Sequence, residues 1–410
     1  MPTRLIGALC RAARLADKGG NSPHARRWAL VIVRIIVTLL AVIQAAEGGA
    51  MDVAELGDLP DFSSPALVVD LGRFDANVAT ADKWFSGTGK KLRPHVKTHR
   101  TPALALRQLT PTAAGLTCAT VGEAEAMVQA GVADILIANE VIERGKLDRV
   151  AALATRAQVC VAVDSADAAA ALAGSAQAAG SAVAVLVDLD VGLGRCGTDG
   201  PAAATKLGAK VESMPGLRLA GLMGYEGRRR PRDPDRARVV ERAYALLAEA
   251  KQYFDRAGLP SGTVSAAGTS TLREALADPT ITEIQAGTYA LMEHDLDGLE
   301  LSFEPALSVV ATVISRTSHH AVLDAGRKSI ASDYGPPQPL VDGAEVAAFN
   351  EEHTTLRFDP AAGTAPALGQ RVLLRPKHVR LTFNLHDVVW LAHQDGSVEK
   401  MPVSARGRSW

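Results

Sequence analysis

The chain is poor in cysteine: its 410 residues carry four, at Cys10, Cys118, Cys160 and Cys196. None belongs to a CxxC pair, which argues against a disulfide framework and against a clustered zinc site. The four read as reduced thiols of a reducing compartment. Net charge is also nearly absent. Lys and Arg total 44 against 45 Asp and Glu, a balance of -1, so the charge gives no reason to expect a nucleic-acid partner. The basic run Arg228–Arg232 is followed by Asp233 and Asp235 and reads as a solvated loop and helix start. No internal sequence repeat is visible.

A long apolar run lies near the N-terminus, Ala29–Ala46, but Arg34 interrupts it, at a cost in any membrane. The surrounding first fifty residues are basic, with Arg26-Arg27 ahead of the run. Three readings fit: an export signal, a membrane anchor over residues 28–46, or non-native sequence upstream of a working start at Met51. The last is preferred and goes with a cytoplasmic protein. The other two imply an exported or membrane-anchored one. Either way residues 1–50 fall outside the fold.

What remains is 47% hydrophobic overall, ample for a large core with two domains, or a barrel plus an extra domain. From Leu92 onward, short β-rich runs alternate with Ala-rich amphipathic stretches. The runs are Leu92–Lys97, Gly115–Thr120, Asp134–Glu140, Val159–Asp164, Ala182–Asp190, Leu217–Tyr225, Thr263–Gly268 and Ile281–Ala286. Between them lie helical patterns such as Val121–Gly131, Asp164–Ala179 and Arg236–Ala257. Eight apolar strands separated by helices predict an α/β fold, a (β/α)8 TIM barrel over residues 66–303. The texture then changes. Leu307–Ser315, His320–Asp324, Ala344–Asn350, Thr354–Phe358, Arg371–Leu374, Thr382–Phe383 and Asp387–His393 read as short strands between turns. They predict a C-terminal β domain over 304–410, which the early strand Ala66–Asp70 also fits.

Barrel enzymes work at the carboxyl ends of their strands. Strand one ends at Lys97, within Arg93-Pro94-His95-Val96-Lys97-Thr98-His99. A lysine there suits imine formation with an aldehyde cofactor. Arg195 and Tyr225, at the ends of strands five and six, offer a cation and a ring for a pyridine. Gly268-Thr269-Ser270 and Gly287-Thr288 follow strands seven and eight. Their glycines allow close backbone approach and their hydroxyls suit a phosphate; the plainer reading is ordinary helix caps.

These words resemble a known family. Pro94-His95-Val96-Lys97-Thr98-His99, Asp190-Val191-Gly192-Leu193-Gly194-Arg195-Cys196-Gly197 and Gln285-Ala286-Gly287-Thr288-Tyr289 are similar to motifs of the fold-type III pyridoxal-phosphate enzymes. So are Asp324-Ala325-Gly326-x-Lys328 and Glu351-Glu352-His353. The nearest branch is that of D-threonine aldolase and D-serine dehydratase, and the likeness spans Ala66 to His393. It implies pyridoxal 5'-phosphate carried by Lys97 as a Schiff base, the ring held by Arg195 and Tyr225, and the phosphate held by Gly268, Thr269, Gly287 and Thr288. It offers His353 as an acid/base, against a plainer reading as a packed β-domain histidine. It also implies a divalent metal (manganese, magnesium or zinc) on a His-x-Asp or His-x-Cys pair. The corresponding stretch is Lys377-His378-Val379-Arg380. His378 fits, but Arg380 stands at the second-ligand position, where a guanidinium cannot coordinate. The expectation is a weak or absent metal site, with either His386 or Asp387 substituting, or Arg380 supplying the charge and gripping a substrate carboxylate.

The resemblance implies a homodimeric lyase acting on small D-3-hydroxy amino acids, by retro-aldol cleavage to glycine and an aldehyde. Dehydration to a 2-oxo acid and ammonia is the alternative. An amino-acid racemase, with Tyr334 as second base, and a non-catalytic pyridoxal-phosphate carrier are further ones.

Overall fold

The computed structural model describes residues 63–358 and 366–410. The N-terminal stretch 1–50 and its apolar run lie outside these. Among the described residues no helix is long and apolar enough to cross a membrane. The chain enters on β1 (Ala66–Asp70) and turns directly into α1 (Leu71–Phe85). Asp70 caps that helix, its side chain accepting from the Arg73 N–H at 3.0 Å.

Eight parallel strands follow: β2 (Lys91–Leu92), β3 (Leu116–Cys118), β4 (Asp134–Glu140), β5 (Gln158–Val163), β6 (Val183–Asp188), β7 (Leu217–Met223), β8 (Thr263–Ala266) and β9 (Glu283–Ile284). Their order is β2-β9-β8-β7-β6-β5-β4-β3. Single parallel bridges, Leu92 to Ala113 and His95 to Thr117, close β2 onto β3. The helices between strands are α2 (Pro102–Arg107), α3 (Val121–Gln129), α4 (Arg144–Ala154), α5 (Ala166–Ala178), α6 (Gly200–Glu212), α7 (Arg236–Arg256) and α8 (Leu272–Ala277). In α7 the buried residues Val240, Ala243, Tyr244, Leu247, Ala250 and Phe254 recur at three and four, the spacing that lays one apolar stripe on a sheet.

The first strand is shorter than its sequence suggests. The N–H groups of Arg93 and His95 still donate to Ile284 and Ala286 on one side. On the other side Pro94 has no N–H to give, and regular pairing stops. Lys97 therefore sits in a 3-10 turn, Val96–Thr98, rather than in the strand.

No long helix follows β9 among the described residues. A 3-10 turn, Thr288–Ala290, takes that place, and α1 packs beside it. Buried Asn77 ties the two together. Its amide donates to the carbonyls of Ala290 (3.1 Å) and Glu304 (2.7 Å) and accepts from the Glu304 N–H at 2.8 Å.

The second sheet has nine strands: β1 with β10 (Leu307–Arg316), β11 (His320–Leu323), β12 (Gln338–Pro339), β13 (Ala344–Phe349), β14 (Thr354–Phe358), β15 (Arg371–Arg375), β16 (Val388–Ala392) and β17 (Val398–Pro402). β1 lies between β10, antiparallel, and β16, parallel. β12 and β17 are strands that the sequence reading does not anticipate. Thr382–Phe383, expected as a strand, belongs instead to helix α9 (Val379–Asn384). Val379, Thr382 and Phe383 are its buried residues, a helical spacing too short to stand out in the sequence.

Replacing Asn77 by leucine strands the Glu304 N–H and two carbonyls. A loss of about 2 kcal/mol or more is expected, read as a lowered thermal midpoint relative to the parent enzyme.

Candidate active site

At the carboxyl ends of the barrel strands a cavity of about 250 Å³ opens, lined by His95, Lys97, Arg195, Tyr225, Gly268, Thr269, Gly287, Thr288, Arg228 and Arg380, among others. The positioning is local. Asp190 accepts the N–H groups of Gly192 (2.9 Å) and Gly194 (3.0 Å), folding the glycine-rich loop that presents Arg195. The Arg195 guanidinium lies 5.6 Å from the Tyr225 ring centre, and Lys97 Nζ lies 5.9 Å from it.

Gly287 follows β9. A methyl group there would meet the His95 carbonyl and Thr98 Oγ1, both at 2.5 Å, so the backbones of the first and last strand ends approach as only glycine permits. Ala267, just before Gly268, adopts φ +66, a conformation rare outside glycine. A 3-10 turn, Thr269–Thr271, follows. The Thr269 hydroxyl accepts the Tyr289 N–H at 3.0 Å and so joins the two loops.

Half-buried Lys97 is held down to about 8, first by loss of solvation and then by the charge of Arg380, with Glu123 opposing. Burial pushes the Tyr225 phenol up to about 12. His95 is kept well below the usual histidine range by burial and then by Lys97 and Arg380. Its buried Nδ1 has no hydrogen-bond partner.

The far wall comes from the second sheet. The N–H of Val379, at the start of α9, donates to Glu293 Oε1 at 3.2 Å. Arg100 Nη1 donates to the Arg380 carbonyl at 2.7 Å. Arg380 then reaches into the cavity. Its Nε donates to His378 Nε2 at 3.2 Å, Nη1 reaches Thr288 Oγ1 at 3.5 Å, and Nη2 faces Glu293 Oε2 at 3.7 Å. Arginine has only donors, so His378 Nε2 is the acceptor of that bond. The ring proton is on Nδ1, donated to Asp333 Oδ2 at 2.6 Å. Burial, then the Arg380 charge, holds His378 below its ordinary range, which agrees with a neutral ring.

The remaining sequence candidates fall elsewhere. His353 is exposed in the turn between β13 and β14 and does not line the cavity. Its neighbours Glu351 and Glu352 pair with Lys328 at 3.8 and 2.5 Å. Tyr334 does not line the cavity either; its ring stacks on His378 at 4.2 Å. Arg228, read as part of a solvated run, is instead mostly buried and faces Glu293 Oε2 at 2.8 Å. Glu293, Asp333 and Thr98 carried no sequence signal of a role, because each becomes relevant only when distant segments meet.

Residues 69–295 match the alanine racemase N-terminal domain, and residues 306–392 match the serine dehydratase domain. The chain belongs to the alanine racemase N-terminal domain family. It is 39% identical over 367 residues to a D-threonine aldolase of Arthrobacter sp, covering 87% of this chain and 96% of that one. The solved D-threonine aldolase of Filomicrobium marinum is 37% identical and superposes with a TM-score of 0.80, covering 87% and 98% of the two chains. The D-threo-3-hydroxyaspartate dehydratase of Delftia sp. HT23 is 28% identical with a TM-score of 0.75, covering 85% and 98%. A variant of that dehydratase is solved in a metal-free form.

Membership of this family implies pyridoxal phosphate, and the cavity suits it: a depressed lysine, an aromatic wall, an arginine, and two glycine-lined loops bearing hydroxyls. A divalent metal does not suit the residues present. A metal on His378 needs a free ring lone pair, and the Nε2 pair already accepts from Arg380 while Nδ1 carries the proton. His386 Nε2 is turned to the Ser329 carbonyl at 2.8 Å, and Asp387 pairs with Arg406 at 2.6 Å. Among the described residues no group of three His, Cys, Asp or Glu could hold a metal ion.

Labelling of cofactor-free protein by a water-soluble aldehyde and hydride should follow the neutral amine of Lys97. Its midpoint is expected near pH 8, rather than at the ordinary lysine value of about 10.4. Mass spectrometry of the labelled peptide checks this.

Proposed function

We propose that the chain is a pyridoxal-phosphate-dependent lyase of the D-threonine aldolase type, cleaving D-3-hydroxy amino acids between Cα and Cβ. The observation that carries the reading is Lys97. Its amine is depressed to about 8 and stands beside Tyr225 and Arg195. The chain around it matches a D-threonine aldolase through barrel and β domain alike.

In this reading Lys97 holds the cofactor aldehyde until the substrate amine takes its place. Arg195 and Tyr225 hold the ring, and the loops at Gly268-Thr269 and Gly287-Thr288 hold the phosphate. When bound, the cofactor supplies an electron sink for the charge that develops at Cα. The protein moves the protons. The 3-hydroxyl loses its proton as the Cα–Cβ bond breaks, its oxygen becomes the aldehyde carbonyl, and Cα receives a proton to give glycine. Two neutral bases line the cavity for this work, Lys97 and His95, and the unpartnered Nδ1 of His95 is free to take or pass a proton. His353 has no part in this reading within one chain, given its exposed turn. The β domain limits water access to the mouth through α9, Arg380 and His378.

The enzyme is further proposed to be a homodimer in a reducing compartment. Leu381 and Leu385 are exposed on α9 at 42% and 41%, beside the site. Cys118, Cys160 and Cys196 are free.

With D-threonine, holoenzyme is expected to give glycine and acetaldehyde in equal amounts. Lys97→Ala should lower the rate by about 10³-fold or more and abolish covalent cofactor attachment, measured by hydride trapping. Formation of 2-oxobutyrate and ammonia instead would assign the chain to the dehydratases. Survival of D-threonine unchanged would overturn the lyase reading.

A further inference from the structure

The cavity's second cation centre is a guanidinium where the metal-bearing relatives' pattern has a ligand. We propose that Arg380 does the metal's binding work in this enzyme: it grips the substrate carboxylate directly, and the protein works without a divalent ion. The proposal deepens the lyase reading and rests on it for the identity of the substrate.

Three observations carry it. First, the His378 lone pair is already used. Arg380 Nε donates to His378 Nε2 at 3.2 Å, and Asp333 fixes the other ring nitrogen at 2.6 Å. The histidine that would hold a metal therefore holds the arginine. Second, Arg380 is braced on three sides by His378, Thr288 and Glu293, so its rotamer is set before any ligand arrives. Those contacts engage only part of its five N–H donors, and the residue lines the cavity that contains Lys97. Third, its charge is not cancelled locally. Fully buried Glu293 lies 2.8 Å from Arg228 and 3.7 Å from Arg380. One carboxylate thus faces two guanidinium groups, with Arg228 the nearer. Asp295 lies 3.9 Å from Arg228 and 3.5 Å from Arg230; Arg380 has no second acid of its own.

A guanidinium and a metal ion differ in what they do well. The planar fork of an arginine matches a carboxylate through two parallel N–H···O bonds. It does not acidify a hydroxyl by coordination, as a metal does. Arg380 is therefore assigned to the amino-acid carboxylate, and the 3-hydroxyl proton goes to the protein bases at the cavity wall.

The test uses the full-length holoenzyme. Binding is read from the shift in the bound cofactor's visible absorbance, with two amines that cannot be cleaved. One is D-alanine, which has a carboxylate and no 3-hydroxyl. The other is isopropylamine, the same skeleton with a methyl group in place of the carboxylate. Arg380→Gln is expected to weaken D-alanine by about tenfold or more and to leave isopropylamine nearly unchanged. Arg380→Lys should recover part of the loss, since it restores charge without the fork, and it serves as the test variant if Arg380→Gln does not retain cofactor. In parallel, chelated wild-type enzyme, metal-free by elemental analysis, should keep its rate on D-threonine.

Two results overturn the proposal: activity lost on chelation and restored by manganese, or equal effects of the Arg380 variants on both amines. If D-threonine is never cleaved but the variants still discriminate the two amines, the carboxylate assignment stands and the lyase reading fails.

Discussion

Glu293 holds the site together. Its carboxylate is fully buried, accepts the first N–H of α9 and faces both Arg228 and Arg380. An isolated carboxylate in such a place costs several kcal/mol. It is offset only when the loop after β7 supplies Arg228 and the second sheet supplies α9. The three segments are far apart in sequence, so each depends on the others to settle. This couples closure of the barrel mouth to docking of the β domain, and gives Arg380 and His378 one arrangement rather than several.

That arrangement sets the chemistry of Lys97. Arg380, Arg195 and Arg100 all press its amine toward neutrality, and only Glu123 opposes them. Arg100 and Glu123 are themselves paired at 3.2 Å, so the field at the lysine is a surplus of positive charge in a partly desolvated cavity. The same surplus attracts an anionic substrate. Burial and cation placement thus give a nucleophilic lysine and an anion trap from one set of residues.

Much of the barrel was legible in the chain. Parallel strands are buried on both faces and read as continuous apolar runs, so β4 to β8 stood out with bounds close to those observed. β2 did not, because Pro94 removes one donor and the pairing ends before Lys97. Within the site, Lys97, Arg195, Tyr225 and the Gly268 and Gly287 loops were visible as residue types at strand ends, and the fold brings them to one cavity. Arg228 was misjudged. A run of arginines signals only that charges are clustered, and whether one of them turns inward depends on a buried acid elsewhere.

The order of apolar runs, the turn-forming glycines and the chemistry available at each strand end are local properties, so the sequence alone determined the barrel, the cofactor lysine and the unusual arginine at 380. Which nitrogen of His378 carries its proton, that its lone pair is taken, that Tyr334 and His353 stand outside the cavity, and that Glu293 is shared by two guanidinium groups were decided only in the tertiary structure. Each of these depends on distances of a few ångströms between segments remote in the chain, and hydrogen bonding and charge pairing are short-ranged enough that no sequence spacing encodes them.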